Sequence, residues 1–191
     1  MTALPPTIII GTPRSRTAWL AASLSTDDVL FAHEPAPDWS DASDLDAFLD
    51  GPTPWCCDSG LTIWAHRILE RRPDARLLAV TRNPQDVHRS FMRLSVDAFG
   101  GSIRTIMRLH REAEQLVSDG LATPICFDRL SDVAYAERVF AIVHGRRPRP
   151  GWARFWIPLR VEADWRATYG RVQRNRDGFP RLTFERLGEM V

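Results

Sequence analysis

The chain has 191 residues, 44 % of them hydrophobic and 26 % charged, with a formal net charge of +1 at pH 7. That length suits one domain with a proper core, and the near-neutral balance argues against a disordered tail or a general nucleic-acid binder. No apolar run approaches membrane-spanning length and no basic stretch leads into an apolar one at the N-terminus, so the chain reads as soluble and cytoplasmic, with no membrane or nucleic-acid partner.

Residues 7–10 are β-branched and read as a first strand. Gly11 to Arg16 follow as a loop of small residues with two arginines, and residues 16–25 read as a helix. Strand, loop and helix in that order can cradle an anion, because loop amides and a helix N-terminus both present N–H groups. Arg14 adds a cation, and Ser15 and Thr17 add hydroxyls. The P-loop spelling G-x-x-x-x-G-K-S/T is absent, since Arg16 and Thr17 stand where Gly-Lys should follow.

Residues 29–32 read as a short strand that runs into "HEP". From Thr26 to Asp58 the chain carries nine carboxylates and no arginine, either a solvated face or an acidic lip beside a cleft. A short helix is expected at 42–49 and a short strand at 55–57. Cys56 and Cys57 are adjacent and Cys126 is distant, which gives no disulfide framework or zinc spacing and suits buried thiols. Residues 61–71 place Leu61, Trp64, Ile68 and Leu69 on one helical face, with Pro73 just past the end. "ARLLAVT", residues 75–81, is the continuous apolar run of a strand buried on both faces of a parallel sheet. Pro84 then stands at a first helical position, and the helix after it should bury Val87, Phe91 and Leu94.

"FGG" breaks the chain before an amphipathic helix at 103–117, and "TPICFD" reads as a further strand. Ser131 is expected to cap a helix running to Val143, with Asp132 in its first turn. The remainder from Gly145 is rich in Pro and Arg, with a helix expected at 161–174. The chain holds no lysine. Any cation in a site is therefore a guanidinium, permanently charged and able to fork onto two anionic oxygens.

Strands alternating with helices predict a three-layer α/β fold, a P-loop-like parallel sheet flanked by helices. Ligands in such sheets sit at the C-terminal ends of the strands. Three polar loops fall there: 11–17, 33–35 and 82–84. The last opens "RNPQDVHRS", in which Arg82 leaves the strand and Ser90 lies two turns along the next helix. An arginine and a hydroxyl so placed can grip one phosphate from two sides.

"GTPRSRTAWL" followed by "RNPQDVHRS" resembles the sulfotransferase superfamily, whose donor is 3′-phosphoadenosine 5′-phosphosulfate (PAPS). That family's phosphosulfate loop reads P-K/R-S-G-T-T-W, and Pro13, Arg14, Ser15, Thr17 and Trp19 match it. Its 3′-phosphate site reads R-N/D-P-x-D/E-x-x-x-S, and Arg82, Pro84, Asp86 and Ser90 match that. "CFDRLSD" and "AERVFAIVHG" are similar to the family's Y-E-D-L strand end and the helix after it, so the likeness spans a core of about residues 7–145, with 146–191 as a basic extension of the same single domain. The resemblance implies a donor site of Pro13, Arg14, Ser15, Arg16, Thr17, Ala18, Arg82 and Ser90, with no metal. It implies Arg14 at the leaving phosphate and Glu34 of "FAHEP" as general base toward an acceptor hydroxyl on a small molecule or glycan.

His33 is the rival base by its intrinsic pKa. Extended backbone would turn His33 and Glu34 to opposite sides, and Arg14 nearby would hold the Glu34 pKa low. The chain departs from the pattern at Arg16, where the family has Gly, and at Ala18, where it has Thr. Asp58 lies near the place of a lysine that carbohydrate relatives use. The family's basic C-terminal loop has no clear counterpart, and "GRRPRPGWARFW" is the basic stretch available for its job. Two other readings stand beside this one: a P-loop kinase or other nucleotide-binding enzyme, and a non-catalytic relative that binds through the same cleft.

Overall fold

The computed structural model describes residues 4–35, 42–52, 54–93 and 103–159. The helix expected at 161–174 and the burial of Leu94 lie outside them. The elements in chain order are β1 (Thr7–Gly11), α1 (Thr17–Leu24), β2 (Ala32–His33), α2 (Ala42–Asp50), β3 (Cys56–Cys57), α3 (Ala65–Arg71), β4 (Arg76–Thr81), α4 (Pro84–Arg93), α5 (Ile103–Ser118), β5 (Thr123–Cys126), α6 (Val133–His144) and α7 (Trp152–Trp156). The five strands form one sheet in the order β2-β3-β1-β4-β5, every pair parallel.

The period-2 rule for strands divides the core into two layers. Ile9, Cys57, Leu78 and Val80 face one side, where they pack with Trp19, Leu20 and Leu24 of α1 and with Val139, Phe140 and Val143 of α6. Ile8, Ile10, Cys56, Leu77 and Ala79 face the other, against Leu45 and Leu49 of α2, Ile68 of α3 and Leu116 of α5. This is the expected three-layer α/β arrangement. Full burial of each of these large apolar side chains is worth about 1.5–3 kcal/mol.

The strand order reverses at β1. After β1 the chain builds β2 and β3 on one side, then crosses to build β4 and β5 on the other. A crevice opens at such a switch point, above the C-terminal end of the central strand. Gly11 closes β1 there with φ 138°, and a Cβ on it would lie 1.9 Å from the Val80 carbonyl oxygen. Only glycine lets β1 and β4 come this close.

Several boundaries differ from expectation. The second strand is Ala32–His33 rather than 29–32. Phe31 is buried and its amide donates to Ser25 Oγ (3.0 Å), while the Ala32 amide donates to the Trp55 carbonyl (2.9 Å). Residues 60–64 form a 3₁₀ turn before α3, because the Thr62 hydroxyl sits 2.9 Å from the Ser59 carbonyl and tightens the chain. "TPICFD" stays extended only to Cys126, and Phe127–Arg129 turn as 3₁₀. Asp132, not Ser131, caps α6, with its carboxylate accepting from the Tyr135 amide (2.7 Å). Cys56 and Cys57 are buried as expected, but Cys126 is exposed, because β5 is an edge strand.

Candidate functional site

The loop after β1 is fixed by its hydroxyls. Thr12 and Ser15 are fully buried and their oxygens lie 2.7 Å apart. The Arg82 amide donates to Thr12 Oγ1 (3.1 Å), which ties the loop to the end of β4. Above this anchor, Arg14 and Arg16 both adopt left-handed backbone, with φ 60° and 62°. Arg16 is the N-cap residue of α1, and its side chain makes no capping bond. Glycine is the residue that takes this conformation without strain, which gives a physical reason for the Gly of the resembled motif.

The two sequence motifs meet at Arg14. Its Nε donates to Ser90 Oγ (3.2 Å), 76 residues away in the chain. Arg82 Nη1 donates back to the Arg14 carbonyl (2.9 Å). Arg82 and Ser90 are thus joined through Arg14. The Arg82 guanidinium lies 4.4 Å from the Phe127 ring centroid, and that of Arg16 lies 5.6 Å from the same ring. Arg16 Nη1 also donates to Ser131 Oγ (3.2 Å). Burial first, and then the charge of Arg82, lower the Arg16 pKa. Pro13 and Ala18 are half-buried in the same loop and helix start.

On the other side of the loop stand His33 and Glu34. His33 Nε2 is 3.2 Å from Thr17 Oγ1. Burial lowers its pKa to about 4, so the ring is neutral at neutral pH. Glu34 lies just past β2, its amide bonded to the Cys57 carbonyl (2.9 Å), and has φ 45°. Its carboxyl bonds Thr17 and Ser59, and Oε1 lies 4.0 Å from His33 Nε2. The expectation that the two side chains point apart therefore fails. It assumed extended backbone, and Glu34 is left-handed, which turns both side chains toward Thr17.

The expected low pKa of Glu34 fails too. Burial, and next the charge of Asp58, raise it to about 8, against the opposing pull of Arg14 and the two hydroxyls. The Glu34 side chain keeps 14 % of its surface exposed.

Asp58, Ser59, Phe127 and Ser131 complete the cluster and were not singled out as site residues from sequence. The strand-end rule that selects Glu34 would also have selected Asp58, the residue after β3. The basic stretch after Gly145 lies elsewhere. Arg146 and Arg149 approach Asp28 and Asp27 (3.9 and 3.7 Å), past the C-terminal end of α1 and away from the loop at its N-terminus. In the acidic stretch, Asp46 and Asp50 of α2 pair with Arg67 and Arg71 of α3.

The chain matches no protein-family model and no curated protein sequence. Its fold is similar to that of solved structures. A sulfotransferase domain from the curacin biosynthetic pathway superposes with a TM-score of 0.52 at 14 % identity, over 79 % of this chain and 77 % of that one. The sulfotransferase domain of a Synechococcus olefin synthase gives 0.48 at 12 % identity, over 85 % and 92 %. The YorR protein of Bacillus subtilis, solved with phosphorylated GDP, gives 0.49 at 14 % identity, over 71 % and 95 %. The chain is an α/β protein with a sulfotransferase-like fold. Among the described residues no helix is long and apolar enough to cross a membrane.

Proposed function

We propose that this protein transfers a sulfonate group from PAPS to a hydroxyl on a small molecule or glycan. The observation that carries the reading is the junction at Arg14, where the loop after β1, the end of β4 and the helix α4 share one cationic corner. The residues fit an anionic donor. Arg16 and Arg82 repel each other beside Phe127, and a bound phosphate or sulfonate relieves that repulsion.

When bound, PAPS supplies a sulfonate on a phosphate leaving group. Arg82 and Ser90 hold the 3′-phosphate in this reading. The amides at the start of α1, with Ser15, Thr17, Arg16 and the backbone of Pro13 and Ala18, hold the phosphosulfate. Arg14 stabilises the charge that develops on the leaving oxygen. Glu34, once ionised, accepts the acceptor's hydroxyl proton at a carboxylate oxygen. His33, neutral and bonded to Thr17, positions that hydroxyl rather than acting as the base. Asp46 and Asp50 of the acidic stretch are paired with α3. A neutral or cationic hydroxyl compound is proposed as the acceptor, because Asp58 and the ionised form of Glu34 that acts as base would both repel an anion beside the loop.

Thermal unfolding with 3′,5′-ADP in the absence of magnesium tests the donor site. Ligand at a hundred times its Kd should add about 2.7 kcal/mol. Stabilisation by Mg·ATP and not by 3′,5′-ADP would replace this reading with a nucleotide kinase. No response to either would point to a non-catalytic relative.

A further inference from the structure

β2 and β3 lie side by side, with Ala32 opposite Cys56 and His33 opposite Cys57. The next residue on each strand is an acid, Glu34 on one and Asp58 on the other. Both therefore stand at the same level of the sheet's C-terminal edge. Their backbones are pinned, with the Glu34 amide on the Cys57 carbonyl (2.9 Å) and the Asp58 amide on the Ile9 carbonyl (2.8 Å). Asp58 is only 2 % exposed, and the Gly60 amide donates to its Oδ1 (2.7 Å). An amide donor of this kind favours the ionised form of a carboxyl. Ser59, between Asp58 and Gly60, bonds the Glu34 carboxyl.

We propose that Asp58 is a positioning residue for the base Glu34: a buried, fixed acid at the same level of the next strand, joined to Glu34 through Ser59, that sets how readily Glu34 takes and releases a proton. The proposal rests on the reading of Glu34 as general base.

The groups around Glu34 come from the loop after β1, from α1, from its own strand β2 and from β3 and its end. Arg14, from the loop after β1, favours its ionised form, and Thr17 of α1 bonds it. His33 on its own strand is neutral, its pKa lowered by burial. The Cys57 thiol on β3 is held neutral, its pKa raised by burial and then by Asp58 and Glu34. Asp58 supplies the like charge. Against a single arginine, burial and Asp58 together carry the Glu34 pKa to about 8. A base with that affinity draws a proton from a hydroxyl more readily than an ordinary carboxylate does. The cost is that only part of the enzyme carries the ionised form at neutral pH.

The test is a ¹³C-carboxyl NMR titration of Glu34 in the full chain and in Asp58→Asn, beside profiles of kcat/KM against pH. Glu34 of the unaltered protein should titrate near pH 8. Asp58→Asn should lower both that midpoint and the rising limb of kcat/KM by about one pH unit, a tenfold change in proton affinity. Its affinity for 3′,5′-ADP should stay unchanged, which a merely structural lesion would not achieve. A Glu34 that titrates in the ordinary carboxylate range, or that Asp58→Asn leaves in place, overturns the proposal.

Should Asp58→Asn fail to fold, Asp58→Ser keeps an acceptor for Gly60 and carries the same readout. An ordinary carboxylate midpoint for Glu34 in the unaltered chain would overturn the proposal without either variant. If the midpoint moves as expected but the protein transfers no sulfonate, the acid pair stands and the functional reading falls.

Discussion

Arg16 holds a left-handed backbone at φ 62°, where a side chain with a Cβ is strained by about 1–3 kcal/mol. Its guanidinium offsets part of that through Ser131 and Phe127. Removing the side chain while keeping a Cβ should therefore be worse than removing both. Arg16→Ala is expected to be less stable than Arg16→Gly by about 1 kcal/mol, measured by urea unfolding. Equal stabilities would mean that the loop relaxes out of this conformation.

Glu34 makes a second residue-scale prediction. Its folded pKa, about 8, lies above the ordinary value of 4.5. Between those two pH values the folded state holds a proton that the unfolded state has released. Stability that is fully present below pH 4.5 is thus lost as pH rises toward 8. Glu34→Gln should flatten this dependence, so that its Tm falls less between pH 5 and pH 8 than that of the parent. Parallel Tm curves for the two proteins would contradict the raised pKa.

At the scale of elements, α1 is held at two points by indole N–H groups. Trp19 Nε1 donates to the Trp156 carbonyl (2.8 Å), and Trp152 Nε1 donates to the Ser23 carbonyl (2.9 Å). Trp152 also packs edge-on against Phe140 and Trp19. Trp152→Phe keeps most of the apolar contact but leaves the Ser23 carbonyl without that donor. It should cost about 1–3 kcal/mol in unfolding free energy. Affinity for 3′,5′-ADP should not change, because Ser23 lies near the far end of α1 from the loop.

The elements also show what a sequence can carry. β4 and the start of α4 were legible, because a continuous apolar run and Pro84 leave little choice. The two-residue strands β2 and β3 were blurred, since pairing with a neighbour and the burial of Phe31 set their limits. The meeting of the loops after β1 and β4 was legible from the polar residues that follow each strand. The orientation of Glu34 was not, because a glutamate carries no mark of positive φ. The nearness of Asp58 was hidden as well, because it follows from the register of β2 on β3.

Across the whole molecule, β1 divides the C-terminal edge of the sheet into two chemical halves. On the β4–β5 side stand Arg82, Ser90 and Phe127, with Arg16 leaning over them. On the β2–β3 side stand His33, Glu34, Asp58 and Ser59. Between them, Arg14 of the loop bonds Ser90 and Thr17 at the start of α1 bonds His33. The proposed chemistry needs such a division, with an anion held on one side and a proton taken on the other.

Kinetic defects should then separate by side. If Arg82 holds the donor as proposed, Arg82→Ala should remove a charge-assisted contact worth about 1.5–3 kcal/mol, or a roughly 10- to 150-fold weaker Kd for 3′,5′-ADP. Glu34→Gln should instead lower kcat by about 10²–10⁴ with that Kd nearly unchanged. Calorimetry with 3′,5′-ADP and initial-rate kinetics on both variants measure the two effects. If Arg82→Ala bound 3′,5′-ADP as tightly as the parent, the cationic half would not be the donor site. If Glu34→Gln kept its rate while His33→Asn lost it, the base would be His33, and burial would have to relax on substrate binding for that ring to take a proton.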